Sequence, residues 1–389
     1  MPRLTNRLPG LLTALAIQTC TIATAAEIRV GPGEVIERIA EAARLAQDGD
    51  TVTILPGVYR GDVALWQQDR LTIRGLGDGP ILDADGQSME GKAIWVIRGG
   101  TIRIDNITFR GARVPDQNGA GIRFERGQLT VTSSRFIDNE NGILTSNDRD
   151  ARLLIENSVF TQAPHHPGAL HHLIYVGRIA HFSLRGSAVH GGYRGHLVKS
   201  RARAHRIEYN WLVDGPDGEA SYELEFPEGG QATVLGNIIG QSGSTENLTL
   251  ISYGAEGYHW PDNQLALSHN TLINSRPGGG RFLHVWQHDA GAEPAVMARN
   301  NLLIGFGLFA LGNPGEFIDN PSIAPRAARN DPDAYRLAED SLLRGHAGAA
   351  PPWQNTALQP THEFTPPTGT RPLAPPHRWV PGAFQTPPQ

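Results

Sequence analysis

Cysteine is almost absent from this sequence, which contains a single one, Cys20, in 389 residues. Cys20 lies in an N-terminal segment for which removal is expected, so the mature chain should contain no cysteine. Such a chain can form neither a disulfide nor a thiolate metal site, and it has no cysteine nucleophile.

A strong net charge and long apolar runs are also missing. The formal net charge of −5 gives no broad basic face of the kind that nucleic acid requires. The apolar run Leu11–Ile17 is far shorter than the roughly 20 residues of a membrane span, and no later segment approaches that length. With Arg3 and Arg7 before it and Ala23-Thr24-Ala25 after it, the run is typical of an export signal. We therefore expect a signal peptide at residues 1–25, a periplasmic or secreted protein, no nucleic-acid partner and no membrane span.

A repeat of the form polar–Asn–x–apolar runs through the middle of the chain. We place its copies at Asn106, Ser133, Asn157, Gly186, Asn210, Asn237, Asn270 and Asn300. Each copy follows a short alternating run, such as Leu129-Thr130-Val131, which predicts a strand. Asn tolerates a tight bend, and its amide can bond to the Asn above and below it. The repeat therefore predicts an all-β fold, a parallel β-helix whose coils stack about 4.8 Å apart.

The region after the signal resembles the opening of the pectate-lyase-like superfamily of right-handed parallel β-helix proteins. Asp48–Tyr59 is similar to that family's first strand and turn, and Leu71–Gly75 to its next strand. Val35–Ala46 has the pattern of an amphipathic helix suited to cap the open end of the stack. The resemblance implies an all-β right-handed parallel β-helix with an N-terminal capping helix, used here to bind a long sugar polymer.

The domain organisation expected from these patterns is simple. The β-helix should occupy residues 26–325, where the repeat is visible. Residues 326–389 are dense in proline and lack apolar periodicity, so we expect a Pro-rich C-terminal extension, either packed along the helix or disordered.

The second strand of each coil carries the candidate site. If Ile174, Val198, Leu224, Ile251 and Leu283 fill the interior, alternation directs a polar column outward. That column reads Tyr175, Lys199, Glu225, Ser252 and His284. Shifting the register by one would bury Glu223 and Glu225 at a high cost for unpaired charges, so both are expected on the outer face.

Further groups should lie beside this column. His172 and His196 share one position a coil apart, and Arg201 follows Lys199. The turns beyond the strands carry Glu256 and His288, and stacking against sugar rings is expected from Tyr253, Trp260 and Trp286. The plainer interpretation is a solvated surface on which Lys199 and Glu225 form an ordinary ion pair.

A polysaccharide lyase is the first functional hypothesis, because β-elimination at a uronic acid needs a base, a carboxylate clamp and an acid. Lys199 or a neighbouring His could be the base, Arg201 the clamp, and Tyr175 or His284 the acid. No cofactor is required, although Glu223 and Glu225 could hold a calcium ion. Lys199-Ser200-Arg201 followed by Asn210 resembles a motif of the β-helix lyases of alginate and dermatan type. Those lyases carry an Arg in the next coil, where this chain has Glu223–Gly229.

Two other hypotheses stay open. A glycoside hydrolase would need two carboxylates about 5 to 9.5 Å apart, which Glu225 with Glu223 or Glu256 could supply. A periplasmic protein that binds polysaccharide without catalysis could use the same aromatic and polar surface. In each case we expect a polysaccharide partner and a monomer.

Overall fold

The computed structural model describes residues 25–166, 168–245, 247–288, 293–327, 329–374, 376 and 378–387. Cys20 and all but the last residue of the predicted signal peptide lie outside this part of the chain. Within it, no helix is long and apolar enough to cross a membrane.

Three parallel sheets make up the body of the protein, and the chain passes through them in the order A, B, C in each coil. In the described residues, sheet A has twelve strands: Glu27–Val30, Thr51–Ile54, Arg70–Gly75, Thr101–Asp105, Gln128–Thr132, Arg152–Glu156, His181–Arg185, Ala204–Glu208, Gln231–Leu235, Gln264–Ser268, Ala295–Arg299 and Glu316–Ile318. Sheet B, within the same ranges, has eleven: Val58–Arg60, Ile81–Asp83, Thr108–Arg110, Arg135–Ile137, Val159–Thr161, Ala188–His190, Trp211–Val213, Ile238–Gln241, Thr271–Asn274, Leu302–Ile304 and Ser322–Ile323. Sheet C, counted likewise over the described chain, has nine: Ala64–Trp66, Ala93–Ile97, Ala120–Phe124, Asn141–Thr145, Ile174–Val176, Val198–Ser200, Leu224–Phe226, Thr249–Tyr253 and Arg281–Val285.

The core lies between the three sheets, because every second side chain of each strand points inward. Leu, Ile and Val fill most of it, and an aromatic stack runs along one part. Trp66, Trp95, Phe109, Phe136 and Phe160 follow one another with ring centroids 4.5 to 5.2 Å apart. This apolar interior is continuous along the stack, and each coil packs on the coils before and after it.

The N-terminal helix is shorter than the sequence pattern predicts. It spans Ile39–Leu45 rather than Val35–Ala46, and Val35 is almost fully exposed. The helix starts at Ile39 because the carboxylate of Asp62 accepts hydrogen bonds from the N–H groups of Ile39 and Ala40. Ile39, Ala42 and Ala43 are buried in the main core at the first coils.

A ladder of polar side chains joins the coils at the corner between sheets A and B. Its members are Ser134, Ser158, Ser187, Asn210, Asn237, Asn270, Asn301 and Asn320, each accepting a hydrogen bond from a backbone N–H in the preceding coil. The sequence assignment was right at Asn210, Asn237 and Asn270 and one residue early at Ser134, Ser158, Ser187 and Asn301. It did not include Asn320, and the assigned Asn106 is not a member of the ladder. The residue before each ladder position has a positive φ, as at Asn157 and Asn300, which explains why Asn recurs there too.

The C-terminal segment packs against sheets A and B. It contains a 3₁₀ helix at Pro332–Tyr335 and an antiparallel pair of strands, His362–Phe364 and Thr370–Pro372. Its apolar side chains join outward-facing residues of sheet B in a second buried cluster, which includes Trp211, Ile238, Leu302, Tyr335, Phe364 and Phe384. Through this cluster the C-terminal segment packs on the β-helix.

Candidate functional site

The outer face of sheet C carries the polar column expected from the sequence. Strand pairing aligns five residues in neighbouring coils, and they are Tyr175, Lys199, Glu225, Ser252 and His284. The inward residues expected on the same strands are all buried: Ile174, Val198, Leu224, Ile251 and Leu283. The predicted register is therefore confirmed. Because neighbouring strands lie about 4.8 Å apart, the column forms a continuous polar strip along the outer face of sheet C.

Arg201 and Lys199 together hold the carboxylate of Glu256. Arg201 donates from Nε to Oε2 at 2.9 Å and from Nη2 to both oxygens at 2.7 Å. The Nζ of Lys199 donates to Oε1 of the same carboxylate at 3.1 Å. The two basic side chains are 14% and 13% exposed, whereas Glu256 is 40% exposed. The carboxylate therefore approaches two largely buried cations from the solvent side.

Tyr175 completes this arrangement from the preceding coil. Nη1 of Arg201 donates to the hydroxyl of Tyr175, and the guanidinium carbon lies 5.2 Å from the centre of the Tyr175 ring. A guanidinium held by a carboxylate and a phenol keeps one orientation, which suits recognition of a planar anion.

Glu225 lies beneath Lys199 and is only 3% exposed. One of its oxygens is 2.9 Å from Nε2 of His196 and 3.2 Å from Nζ of Lys199. Burial alone would raise the pKa of Glu225, but the contacts with His196 and Lys199 outweigh it and leave that pKa below its usual value. Glu225 is thus an anion that fixes the Lys199 amine.

His172 is a neutral imidazole next to Lys199 and Arg201. Burial, and then the neighbouring charges of His196, Lys199 and Arg201, hold the pKa of His172 well below its usual value. Its Nδ1 accepts a hydrogen bond from the backbone N–H of His196 at 3.0 Å. The proton of the neutral ring is therefore on Nε2, so that His172 can donate a hydrogen bond there and cannot act as a base.

Sequence reasoning missed two members of the network, Arg178 and Glu228. Arg178 donates to both oxygens of Glu228 at 2.7 Å, and Nε of Arg201 lies 3.2 Å from the same carboxylate. Each of these residues lies just beyond the end of a sheet C strand, as Arg201 does. That shared position, directly after the end of a strand, was the signal available in the sequence.

The expectation for Glu223 was wrong. It is fully buried, and its neighbours in adjacent coils, Leu197 and Leu250, belong to the hydrophobic core. Neither carboxylate oxygen has a hydrogen-bond partner among the described residues, and burial raises the pKa of Glu223 well above its usual value. The cost of burying a charge is avoided because the carboxyl group stays protonated.

Glu223 and Glu225 do not fit the suggested calcium site. Glu223 is a neutral acid in an apolar environment, and the inner oxygen of Glu225 is taken up by His196 and Lys199. In the described part of the chain, no group of three or more His, Cys, Asp or Glu side chains is placed to share a metal ion. Calcium prefers several ionised or carbonyl oxygens, which this pair does not offer.

His284, Trp286 and His288 lie at the far end of the column. The rings of His284 and Trp286 are 4.2 Å apart, and Nε1 of Trp286 donates to Ser252 at 3.2 Å. Nε2 of His288 contacts the carbonyl oxygen of Gly254, in the turn that carries Glu256, at 2.6 Å. His284 is three strands from Lys199, about 14 Å away, so the two cannot act on the same sugar bond.

Two of the three aromatic residues expected to stack on sugars are buried. Tyr253 is fully buried in the core, where its hydroxyl donates to Gly230, and Trp260 is 8% exposed. Nε1 of Trp260 donates to the carbonyl oxygen of Arg201 at 3.2 Å, which holds the end of that strand in place. Trp286 alone of the three retains a partly open ring.

Among solved structures, the chain is similar to a crystal structure of pectate lyase Pel9A. The TM-score is 0.56 at 12% sequence identity, and the match covers 94% of this chain and 97% of that chain. The fold is therefore that of the pectate-lyase-like right-handed parallel β-helix proteins. No family model and no curated protein sequence matches the chain.

Proposed function

We propose that this protein is an exported polysaccharide lyase that cleaves its substrate by β-elimination at uronic acid residues. The observation that carries the proposal is the capture of one carboxylate, that of Glu256, by Arg201 and Lys199. A uronic acid presents the same group to the same face. The periplasmic or secreted location remains the prediction made from residues 1–25.

Substrate binding would exchange one carboxylate for another. The sugar carboxylate takes the place of Glu256 on Arg201, and Glu256 turns into solvent, from which it is already 40% accessible. Neutralising the sugar carboxylate stabilises the negative charge that develops on the adjacent carbon when its proton is removed. Arg201 is well suited to this because its fork matches a carboxylate.

Lys199 and Tyr175 are the proposed base and acid. Once Glu256 has left, Lys199 acts as a neutral amine: its Nζ takes the proton from the carbon beside the sugar carboxylate and becomes an ammonium group, and the electron pair of the broken C–H bond forms a carbon–carbon double bond. The bond to the glycosidic oxygen breaks, and this oxygen takes the proton of the Tyr175 hydroxyl. Lys199 and Tyr175 are on neighbouring strands, about 4.8 Å apart, which suits groups that act on two adjacent bonds.

The lowered pKa values of Glu225 and Glu256 favour elimination over hydrolysis. A glycoside hydrolase needs one carboxylic acid that stays protonated, with a raised pKa. For Glu256, burial alone would raise the pKa, but Arg201 and Lys199 lower it, and the pKa of Glu225 is also lowered. Glu223 has a raised pKa, but it is buried in the core and cannot reach a substrate.

The test is a screen of the purified protein against uronate and neutral polysaccharides with two signals recorded together. Ultraviolet absorbance reports unsaturated uronate, and a reducing-end assay reports every chain cleavage. A lyase raises both signals on at least one uronate polymer. Reducing ends without absorbance would replace the proposal with hydrolysis, and silence on every polymer to which the protein binds would replace it with binding alone.

A further inference from the structure

A second polar cleft lies beside the candidate site on sheet C. It has a volume of about 550 Å³ and extends over the three coils that precede Lys199. His172 and Tyr175 form part of its lining, so the cleft and the Lys199–Arg201 site share a wall. A ligand that occupies the site can therefore continue into the cleft without crossing a barrier.

Arg123 supplies the positive charge of this cleft. It lies in the strand Ala120–Phe124, in the same outward column as Lys199, and its Nε is buried without a hydrogen-bond partner in the described part of the chain. The nearby carboxylate of Glu125 is engaged by Lys92 at 2.8 Å and by Arg98 at 3.3 Å. Arg178, Lys199 and Arg201 are all held by glutamates, whereas Arg123 is available to an incoming anion.

The rest of the cleft suits a sugar chain. Leu144 and Leu170 line it, and Leu170 is 61% exposed, so its apolar surface is open to contact with a sugar ring. Gln117, Asn118 and Asn147 contribute amides that can bond to hydroxyl groups. Apolar contact with a few directed hydrogen bonds is the usual composition of a ligand site.

The strand register fixes the distance between the two basic positions. Arg123 pairs with Leu144, Leu144 with Tyr175, and Tyr175 with Lys199. Three strand spacings amount to about 14 Å, and one pyranose unit is about as long as one spacing, so a chain along the column would span about three sugars.

We infer that Arg123 forms a remote subsite for a second uronate carboxylate, about three sugars from the one held by Arg201. The inference rests on the proposed function, since it assumes a polyuronate in the site. It deepens that proposal by assigning the substrate class as chains of at least four uronate units, with shorter oligomers bound only at the Lys199–Arg201 site.

Binding of defined oligomers tests this inference without relying on turnover. Oligogalacturonates and oligoguluronates of two to six units are titrated calorimetrically into the Lys199→Ala protein, and then into Lys199→Ala combined with Arg123→Ala. Lys199→Ala combined with Arg103→Ala is the matched control, because Arg103 is an exposed arginine of sheet A in the same part of the helix. A hexamer with its carboxyl groups reduced to alcohols provides the uncharged ligand.

The expected result is a length-dependent loss. Arg123→Ala should leave the Kd of dimers and trimers unchanged and weaken the Kd of tetramers and longer oligomers about tenfold, as for a charge-assisted hydrogen bond. The Arg103 control and the reduced hexamer should show no change. The inference would be overturned if Arg123→Ala left the affinity unchanged at every oligomer length, or if it weakened dimers as much as tetramers. It would also be overturned if no oligomer bound to the Lys199→Ala protein. Length-dependent binding by these variants, with no unsaturated product from the wild-type protein on the same oligomers, would uphold it while refuting the lyase proposal.

Discussion

Arg201 differs from Lys199 in the way it holds the same carboxylate. Lys199 makes one contact with Glu256, at 3.1 Å, whereas the planar guanidinium of Arg201 reaches both oxygens and also the Tyr175 hydroxyl. An ammonium group at position 201 would keep the charge but lose the fork. Orientation of the sugar carboxylate should therefore depend on the identity of this residue as well as on its charge.

Arg201→Lys is accordingly expected to reduce kcat/KM on the active polymer by at least about tenfold, because one bidentate charge-assisted bond is lost. The control is Arg203→Lys, since Arg203 is 52% exposed and its 3.4 Å contact with Asp262 lies outside the site. The control should keep the wild-type rate. Equal rates for all three proteins would remove Arg201 from the proposed clamp.

Glu223 should govern part of the pH dependence of stability. Its pKa is raised above the ordinary value of 4.5, first by burial and then by Asp214. Between 4.5 and the raised pKa, the folded protein keeps a proton that the unfolded chain has released, so stability falls as pH rises through this window. Glu223→Leu places at this position the same residue type as its core neighbours Leu197 and Leu250. It should therefore remove the fall in stability with rising pH that Glu223 causes.

We expect the urea midpoint of Glu223→Leu to exceed that of the wild type, with a larger gain at about pH 8 than at about pH 5. Glu223→Gln is the control, because it keeps the size and polarity but cannot ionise. It should flatten the pH dependence without the full gain in stability. The raised pKa would be contradicted if the urea midpoints of the wild type and of Glu223→Gln changed by the same amount between pH 5 and pH 8.

At the scale of elements, the corner ladder is what holds successive coils in register. Oδ1 of Asn237 accepts from both the backbone N–H and the side-chain amide of Asn210, each at 2.9 Å. Nδ2 of Asn237 in turn donates to the carbonyl oxygen of Ile207 and to Asn270. All three asparagines are fully buried, so each bond replaces an interaction with water that has been lost.

Asn237→Ala should therefore lower the free energy of unfolding by about 3 kcal/mol, since it leaves buried groups of two neighbouring coils without partners. Gln128→Ala, an exposed amide on sheet A, is the control and should change stability very little. Chemical denaturation followed by circular dichroism measures both variants. A similar small effect for both would mean that the ladder contributes little to stability.

Elements were predictable from the sequence where one pattern was decisive. Alternation of apolar residues placed Lys199 and Glu225 on the correct, outward face, because the same register also places Val198 and Leu224 in the core. It failed at Glu223, because a single carboxylic acid can be buried once it is neutral. The Arg178–Glu228 pair joins residues 50 positions apart in turns of different length, which periodicity does not address.

For the whole molecule, the C-terminal segment acts as a cover over apolar parts of sheets A and B. Phe364 is 1% exposed and packs on Trp211, with ring centroids 6.4 Å apart. Phe364→Ala should reduce the free energy that holds the C-terminal segment on the β-helix by about 3 to 5 kcal/mol. Proteases should therefore cleave the segment faster, while the β-helix itself stays intact. Leu342→Ala, at a residue that is 88% exposed, should not change the cleavage rate. Equal rates for both variants would show that Phe364 does not secure the segment.

The β-helix positions the site by stacking alone. Tyr175, Lys199 and Glu225 come from three successive coils, and Glu256 comes from the turn after a fourth. Their order is set by strand pairing and not by any local motif. We propose that this stacked group performs elimination with Lys199 as the base.

The most direct test is the ratio of unsaturated ends to reducing ends, measured on one uronate polymer for the wild type and for Lys199→Arg. Arginine keeps the positive charge but does not accept a proton at working pH. Elimination with Lys199 as the base predicts one unsaturated end for every new reducing end with the wild type, and neither product with Lys199→Arg. Reducing ends without unsaturation, or full wild-type activity in Lys199→Arg, would contradict it.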